Sequence, residues 1–219
     1  MCTPQKFLVI RLALIFMLAA SSYRAQGQTE PKQTVYGEVG VGFGRTLFFG
    51  DIRQQLRAAI GADDFTPNAG GNFLVAFYVA PAKWRGLGVG FRAKLFGAGG
   101  AAGPSGEEYF FNYYHTGPSA KYYPFSRSFN RGFYVRASYG FGQLTAKRDY
   151  QDNARTYRHQ FAVGGTWLGG LGYSFPLKKY SLSIETEAEH ARRNGTISGV
   201  GDDQAFESGQ VGANVVLTF

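Results

Sequence analysis

Apolar and polar residues alternate in eight separate segments of the sequence, and this period of two constrains the fold more than any other feature. The clearest segment, Leu87 to Phe96, has the sequence LGVGFRAKLF. Successive residues of a strand point to opposite faces, so such a segment has one apolar and one polar face. The segments are Thr34 to Phe48, Asn72 to Ala80, Leu87 to Phe96, about Phe110 to Tyr123, Phe133 to Gly142, about Arg158 to Phe175, Tyr180 to His190 and Val211 to Phe219.

Strands with an apolar and a polar face suit two kinds of barrel. Strands of about ten residues, apolar outside and polar inside, are the unit of a transmembrane β-barrel, and closure leaves no unpaired edge in lipid. We therefore expect an all-β protein, a closed antiparallel eight-stranded up-and-down transmembrane β-barrel. An exported soluble barrel of the lipocalin kind is the alternative, which charges on the inward face disfavour.

The N-terminal region has the pattern of an export signal. Lys6 and Arg11 are followed by an apolar run from Leu12 to Ala20 and a small, polar stretch from Ser21 to Gln28. We expect a signal peptide over residues 1–27, with the cleavage point open, and one barrel domain over residues 28–219. The only cysteine, Cys2, lies in this signal, so no disulfide is expected. The net charge of +8 is scattered, and export argues against nucleic acid as a partner.

The connectors between the segments differ in length. Those after the second, fourth and sixth segments are short, as periplasmic turns are, which predicts that both chain ends are periplasmic. Within the first long connector, Asp51 to Ile60 has the pattern of a short helix. Pro118 predicts a bulge, because proline cannot donate to the strand ladder. The short connectors are Pro81 to Gly86, Pro124 to Gly132 and Pro176 to Lys179; the long ones are Phe49 to Gly71, Gly97 to Tyr109, Leu144 to Tyr157 and Ala191 to Glu207.

Aromatic residues are concentrated where the segments meet the short connectors. Rings with a polar atom suit the boundary between lipid and water, and girdles of them flank barrel membranes. Strand ends are also rich in aromatics for local reasons. We expect a periplasmic girdle that comprises Tyr36, Trp84, Tyr122, Phe133, Tyr173, Phe175, Tyr180 and Phe219 and also includes Tyr123 and Phe125.

The polar faces carry acidic and basic residues in equal number. An eight-stranded barrel is only wide enough for side chains to fill it, so we expect these charges to pair and plug the lumen. Counted in residues from the short connectors, Arg92 lies at a depth similar to that of Glu185. The same holds for Lys94 and Glu187. Toward the long connectors, the inward positions are glycines, which indicates either that this upper part of the lumen is hollow or that the strands curve there. The predicted charge network is Glu38, Arg92, Lys94, Lys121, Arg136, Glu185, Glu187 and Glu189.

The sequence offers little for catalysis. His190 adjoins Glu189 and lies near Ser198, but neighbours on a strand point to opposite faces. His115, His159 and His190 match no metal-ligand spacing. We expect no catalytic residue, no metal and no cofactor. Basic residues of the long connectors are either solvated or in contact with anionic glycolipid: Arg53, Arg57, Lys147, Arg148, Arg155, Arg158, Arg192 and Arg193.

The segments GPSAKYYPF, from Gly117 to Phe125, and GLGYSFPL, from Gly169 to Leu177, occur with a terminal Phe219. Together with the export signal and the eight strands, they resemble the OmpA-like and PorT-like outer-membrane β-barrel family common in Bacteroidetes. The resemblance covers the whole mature chain. It implies that the barrel-assembly machinery recognises the terminal strand, with Val215, Leu217 and Phe219 as the assembly signal.

These observations predict a non-enzymatic, monomeric protein of the Gram-negative outer membrane. Its expected partners are membrane lipid, lipopolysaccharide and the barrel-assembly machinery. The first alternative is a narrow transporter for small solutes with a lateral gap in the wall near Pro118. A lipid-modifying enzyme is a further alternative.

Overall fold

The computed structural model describes residues 33–60, 69–102, 108–149, 158–197 and 201–219, so the predicted export signal lies outside the described residues. Alternating residues favour extended backbone because each strand can then present one face inward and one outward. The strands are β1 (Val35–Phe49), β2 (Ala69–Val79), β3 (Leu87–Ala102), β4 (Glu108–Tyr122), β5 (Gly132–Asp149), β6 (Arg158–Leu177), β7 (Tyr180–Ile197) and β8 (Gly201–Thr218). Helix α1 (Asp51–Ile60) follows β1, and a short 3-10 helix (Ala82–Trp84) follows β2.

The strands pair in chain order and the sheet closes when β1 pairs with β8. All pairings are antiparallel, and the closing ladder includes Val41 opposite Val215. The predicted fold is therefore confirmed. No helix among the described residues is long and apolar enough to cross a membrane.

The outer face of the barrel is apolar and exposed. Phe43 is 71% exposed, Trp167 62% and Ile184 55%, and every strand contributes large apolar side chains to this face. The polar residues of the same strands are buried inside. This inversion of the usual arrangement matches a protein whose surroundings are lipid.

The two ends of the barrel differ. The turns after β2, β4 and β6 lie at one end, here called the turn end; α1 lies at the other, here called the helix end. At the helix end the strands run farther than the sequence predicted, into all four expected long connectors, because residues there continue the antiparallel ladders. Helix α1 has the expected bounds and begins after Gly50, whose positive φ of 67° suits glycine.

The bulge predicted at Pro118 is absent, since the β4–β5 register is the same at Thr116 opposite Phe141 and at Ser119 opposite Ser138. Pro118 keeps its place in the β3–β4 ladder, opposite Phe91. The prediction was wrong because the β4–β5 ladder omits the pair at Pro118, which has no N–H to donate, and needs no inserted residue to do so.

Candidate functional site

The lumen is closed at the turn end by a cluster of buried rings, here called the aromatic floor. Phe129, from the turn between β4 and β5, has its ring centroid 5.7 Å from that of Tyr78, 5.2 Å from that of Tyr123 and 4.8 Å from that of Tyr36. Tyr123 also packs against Tyr134, with centroids 5.3 Å apart. The hydroxyl of Tyr123 lies 2.9 Å from Ser174 Oγ, and that of Tyr78 lies 2.9 Å from Ser119 Oγ. This end of the lumen is therefore filled by ring packing.

Two of these rings had been expected in the periplasmic girdle. Tyr36 shares the inward parity of Glu38 and packs against the aromatic floor, and Tyr123 is fully buried. The girdle assignment was wrong for both, because residue type was given more weight than strand parity. The other predicted girdle residues are at least partly exposed at the turn end: Trp84, Tyr122, Phe133, Tyr173, Phe175, Tyr180 and Phe219. Phe125 is also exposed there.

Above the floor lies the first part of the charge network, centred on Glu38 of β1. Lys121 Nζ lies 2.6 Å from Glu38 Oε1, and Arg136 Nη2 lies 2.6 Å from Glu38 Oε2. The hydroxyl of Thr218 donates to Glu38 Oε1 at 3.3 Å. Side chains from β1, β4, β5 and β8 therefore meet at one carboxylate, which both neutralises it and joins four strands across the lumen.

The network continues through two carboxylates of β7. Glu185 Oε1 lies 3.1 Å from Arg136 Nη1 and 3.4 Å from Arg92 Nη2, while Tyr134 donates its hydroxyl to Glu185 Oε2 at 2.8 Å. Glu187 Oε2 lies 2.6 Å from Arg92 Nη2, and Glu187 also forms an ion pair with Lys94. Lys94 in turn donates to Gln210. Each shared cation thus couples one acidic residue to the next.

The last predicted acidic residue, Glu189, contacts a base that had been assigned to an external connector. Arg193 Nη2 lies 3.0 Å from Glu189 Oε1, and both side chains are buried. Arg193 also donates to Ser208 and lies over the ring of Tyr113, 5.1 Å from its centroid. The connector assignment was wrong because β7 extends to Ile197. The common parity of Glu189 and Arg193 was the sequence signal that could have placed Arg193 in the lumen.

The lumen is closed at the helix end by apolar side chains, here called the apolar cap. Ile52 and Leu56, one turn apart on α1, are 4% and 0% exposed. They belong to the same core cluster as Phe48, Phe96 and Tyr113. The remaining members of this cluster are Ala98, Leu144, Ala162 and Phe206. The helix therefore covers the upper lumen, for which the inward glycines had left open a hollow space or strand curvature.

Between the network and the apolar cap lie buried polar side chains. His115 Nε2 lies 3.1 Å from Ser138 Oγ, and Ser138 donates to the backbone oxygen of Pro118 at 3.1 Å. This pair is enclosed by the wall and is not on a surface. Among the described residues, no group of three or more histidine, cysteine or acidic side chains is arranged to hold a metal ion.

The terminal strand presents its apolar residues outward. Val215 and Leu217 are 48% and 38% exposed. The backbone nitrogen of Phe219 donates to the oxygen of Gly37 at 3.0 Å, and the backbone nitrogen of Gly37 donates to the oxygen of Phe219 at 2.8 Å. The predicted assembly residues therefore form one outward row beside the closing ladder.

No protein-family model matches the sequence, and no curated protein matches it. The chain is similar to the crystal structure of Ail, the attachment invasion locus protein of Yersinia pestis, in complex with the heparin analogue sucrose octasulfate. The identity is 14% and the TM-score 0.52, over 85% of this chain and 100% of Ail. Neisserial surface protein A (NspA) is 12% identical, with a TM-score of 0.46 over 87% of this chain and 100% of NspA. The outer membrane protease OmpT of Escherichia coli is 7% identical, with a TM-score of 0.37 over 89% of this chain and 99% of OmpT. The likeness to Ail agrees with the closed barrel that the strand pairing establishes.

Proposed function

We propose that the protein is a non-enzymatic integral barrel of the Gram-negative outer membrane, with a plugged lumen and a structural or surface-binding role. The observation that carries this proposal is the chain of buried ion pairs that crosses the lumen from Glu38 to Glu187. An open pore needs a continuous aqueous path, whereas these pairs occupy the space between opposite walls. The aromatic floor lies on one side of them, and buried polar side chains followed by the apolar cap lie on the other.

The outward face supports a membrane location. Lipid tails solvate apolar side chains, whereas water would leave this large apolar surface exposed at a high cost in free energy. The resemblance to the Bacteroidetes barrel family supports the same location. We place the turn end in the periplasm, because short turns face that side in barrels of this class. Lipopolysaccharide is then the lipid at the helix end, and the barrel-assembly machinery acts on the terminal strand.

The alternative of lateral transport near Pro118 loses its main support. A Cβ atom placed on Gly140 would lie only 2.0 Å from the backbone oxygen of Thr116, and one on Gly117 would lie 2.6 Å from Cα of Gly140. The backbones of β4 and β5 are therefore in close contact beside Pro118. This close approach argues against a lateral gap between β4 and β5.

Two measurements test the proposal. Outer-membrane fractions run on a gel with and without boiling should show a heat-dependent shift, because a closed barrel resists detergent until it is heated. Purified protein in liposomes should then give no more conductance or uptake of small sugars than empty liposomes do. A soluble periplasmic protein without a shift would contradict the membrane assignment, and steady conductance would contradict the plugged lumen.

A further inference from the structure

The outer wall at the helix end carries a cluster of residues that the lumen does not explain, here called the wall patch. Trp167 of β6 pairs with Tyr139 of β5 and with His190 of β7 in the ladders, and Arg192 lies opposite Gly165. Tyr139, Gly165, Trp167, His190 and Arg192 line a groove with a volume of about 360 Å³. The groove exists because Gly165 has no side chain between the two aromatic rings and Arg192.

The rings of the wall patch are exposed and close together. The centroids of Tyr139 and Trp167 are 4.4 Å apart, and these side chains are 48% and 62% exposed. Trp167 is therefore not a core residue. Large planar side chains at such a position offer contact area to an apolar chain or to a sugar ring at a low entropic cost.

The basic residues lie where the apolar outer face of β7 ends. From Tyr180 the outward side chains are Leu182, Ile184, Thr186 and Ala188, and then the face becomes basic at His190 and Arg192. Ten residues of strand rise about 33 Å, which is about 25 Å along the axis of a barrel whose strands tilt by about 40°. This distance equals the height of the apolar band of such barrels, so with Tyr180 at the inner edge of the band, His190 falls at its outer edge.

The charged side chains of the wall patch form ion pairs but remain exposed. Arg192 Nε lies 2.8 Å from Glu207 Oε1, and His190 Nε2 lies 3.5 Å from Glu207 Oε2. The Arg192 side chain is 81% exposed, so its terminal nitrogens are accessible to a second anion. Guanidinium binds phosphate through paired N–H donors, and Glu207 competes for the same cation.

We propose that the wall patch binds a phosphorylated glycolipid of the outer leaflet, with its phosphate at Arg192 and His190. A sugar or acyl chain of the same molecule lies in the groove across Trp167 and Tyr139. The inference rests on the proposed function, since it requires the barrel to lie in a membrane with its helix end outward.

Tryptophan fluorescence can report on binding at the wall patch. The chain has two tryptophans, and the one outside the patch, Trp84, lies at the turn end. A Trp84→Phe variant of the full chain leaves Trp167 as the only tryptophan, so its emission reports on the wall patch. The variant is placed in phosphatidylcholine nanodiscs with increasing fractions of lipid A that carries both phosphates, or of the same lipid with its phosphates removed.

We expect Trp167 emission to respond at about tenfold lower fractions of the phosphorylated lipid. In the same background, Arg192→Gln should remove most of that preference, and Glu207→Gln should strengthen it because a competing carboxylate is lost. Arg45→Gln is the matched control: Arg45 is an exposed outward residue of β1 at the same end but outside the groove, and we expect less than a twofold change. If the Arg192–Glu207 pair were purely structural, Arg192→Gln and Glu207→Gln would shift the preference for the phosphorylated lipid in the same direction.

Equal responses to the two lipids, or an Arg45→Gln effect as large as that of Arg192→Gln, would overturn the wall patch as the site. Failure of the proposed function gives a different result, because a protein that is not a membrane barrel would neither enter nanodiscs nor show the heat-dependent gel shift. An inserted, heat-shifting barrel with no lipid preference therefore contradicts only this inference.

Discussion

Arg136 and Glu38 form an ion pair of 2.6 Å across the lumen, although 98 residues separate them in the chain. Arg136 belongs to β5 and Glu38 to β1, the strand at which the barrel closes. Both side chains are fully buried. The pair thus connects the closing seam of the wall with its opposite side.

We expect Arg136→Met to lower the free energy of unfolding by about 3–5 kcal/mol, because it leaves Glu38 and Glu185 with fewer cations in a buried site. Urea unfolding in detergent micelles measures this change. Arg131→Met, in the exposed turn before β5, is the control and should have little effect. Adding Glu38→Gln to Arg136→Met should cost less than the two single changes summed. Equal unfolding midpoints for Arg136→Met and the control would contradict a structural role for the network.

Tyr134→Phe tests the same network without removing a charge. Tyr134 donates a bond of 2.8 Å to Glu185, and a buried hydrogen bond to a charged group contributes about 1.5–3 kcal/mol. We therefore expect a lower thermal unfolding temperature in micelles. The exposed Tyr173 of β6 is the matched site, and Tyr173→Phe should leave the temperature unchanged. A Tyr134→Phe barrel as stable as that variant would show that the hydroxyl contributes nothing.

The apolar cap predicts a local effect at the helix end. Leu56→Asp places a charge among buried apolar side chains, so we expect α1 to leave the lumen. Trypsin should then cut after Arg53 about tenfold faster, because local opening exposes the backbone. Gln55→Asp adds the same charge on the exposed face of α1 and should leave the cleavage rate near that of the unmodified chain. Similar rates for both variants would mean that Leu56 does not hold the helix.

Close contact between β4 and β5 predicts a steric effect on assembly. Gly140→Ala places a Cβ atom 2.0 Å from the backbone oxygen of Thr116, so the strands must separate. We expect a smaller folded fraction, measured as the share of heat-shiftable protein after refolding. Gly169→Ala is matched to it, since a Cβ atom there meets nothing within 4 Å. A folded fraction as high for Gly140→Ala as for Gly169→Ala would disprove the steric constraint.

The parity of the strands could be predicted from the sequence because period two is a local property of extended backbone. It placed Arg92, Lys121 and Glu187 inside and Val215 outside, as the structure has them. The alternation also gave the number and order of the strands. Tyr36 shows that parity is more reliable than residue type, because its ring follows Glu38 into the lumen.

The tertiary structure alone decided which inward side chains meet. The approach of Arg136 to Glu38 and of Arg193 to Tyr113 depends on strand register and on the path of the closed wall, neither of which is encoded locally. The same is true of α1, which the sequence predicted as a short helix while its place over the lumen was not predicted. The sequence therefore determined the faces of each strand, and closure of the barrel determined the contacts among them, because those contacts join residues that are distant in the chain.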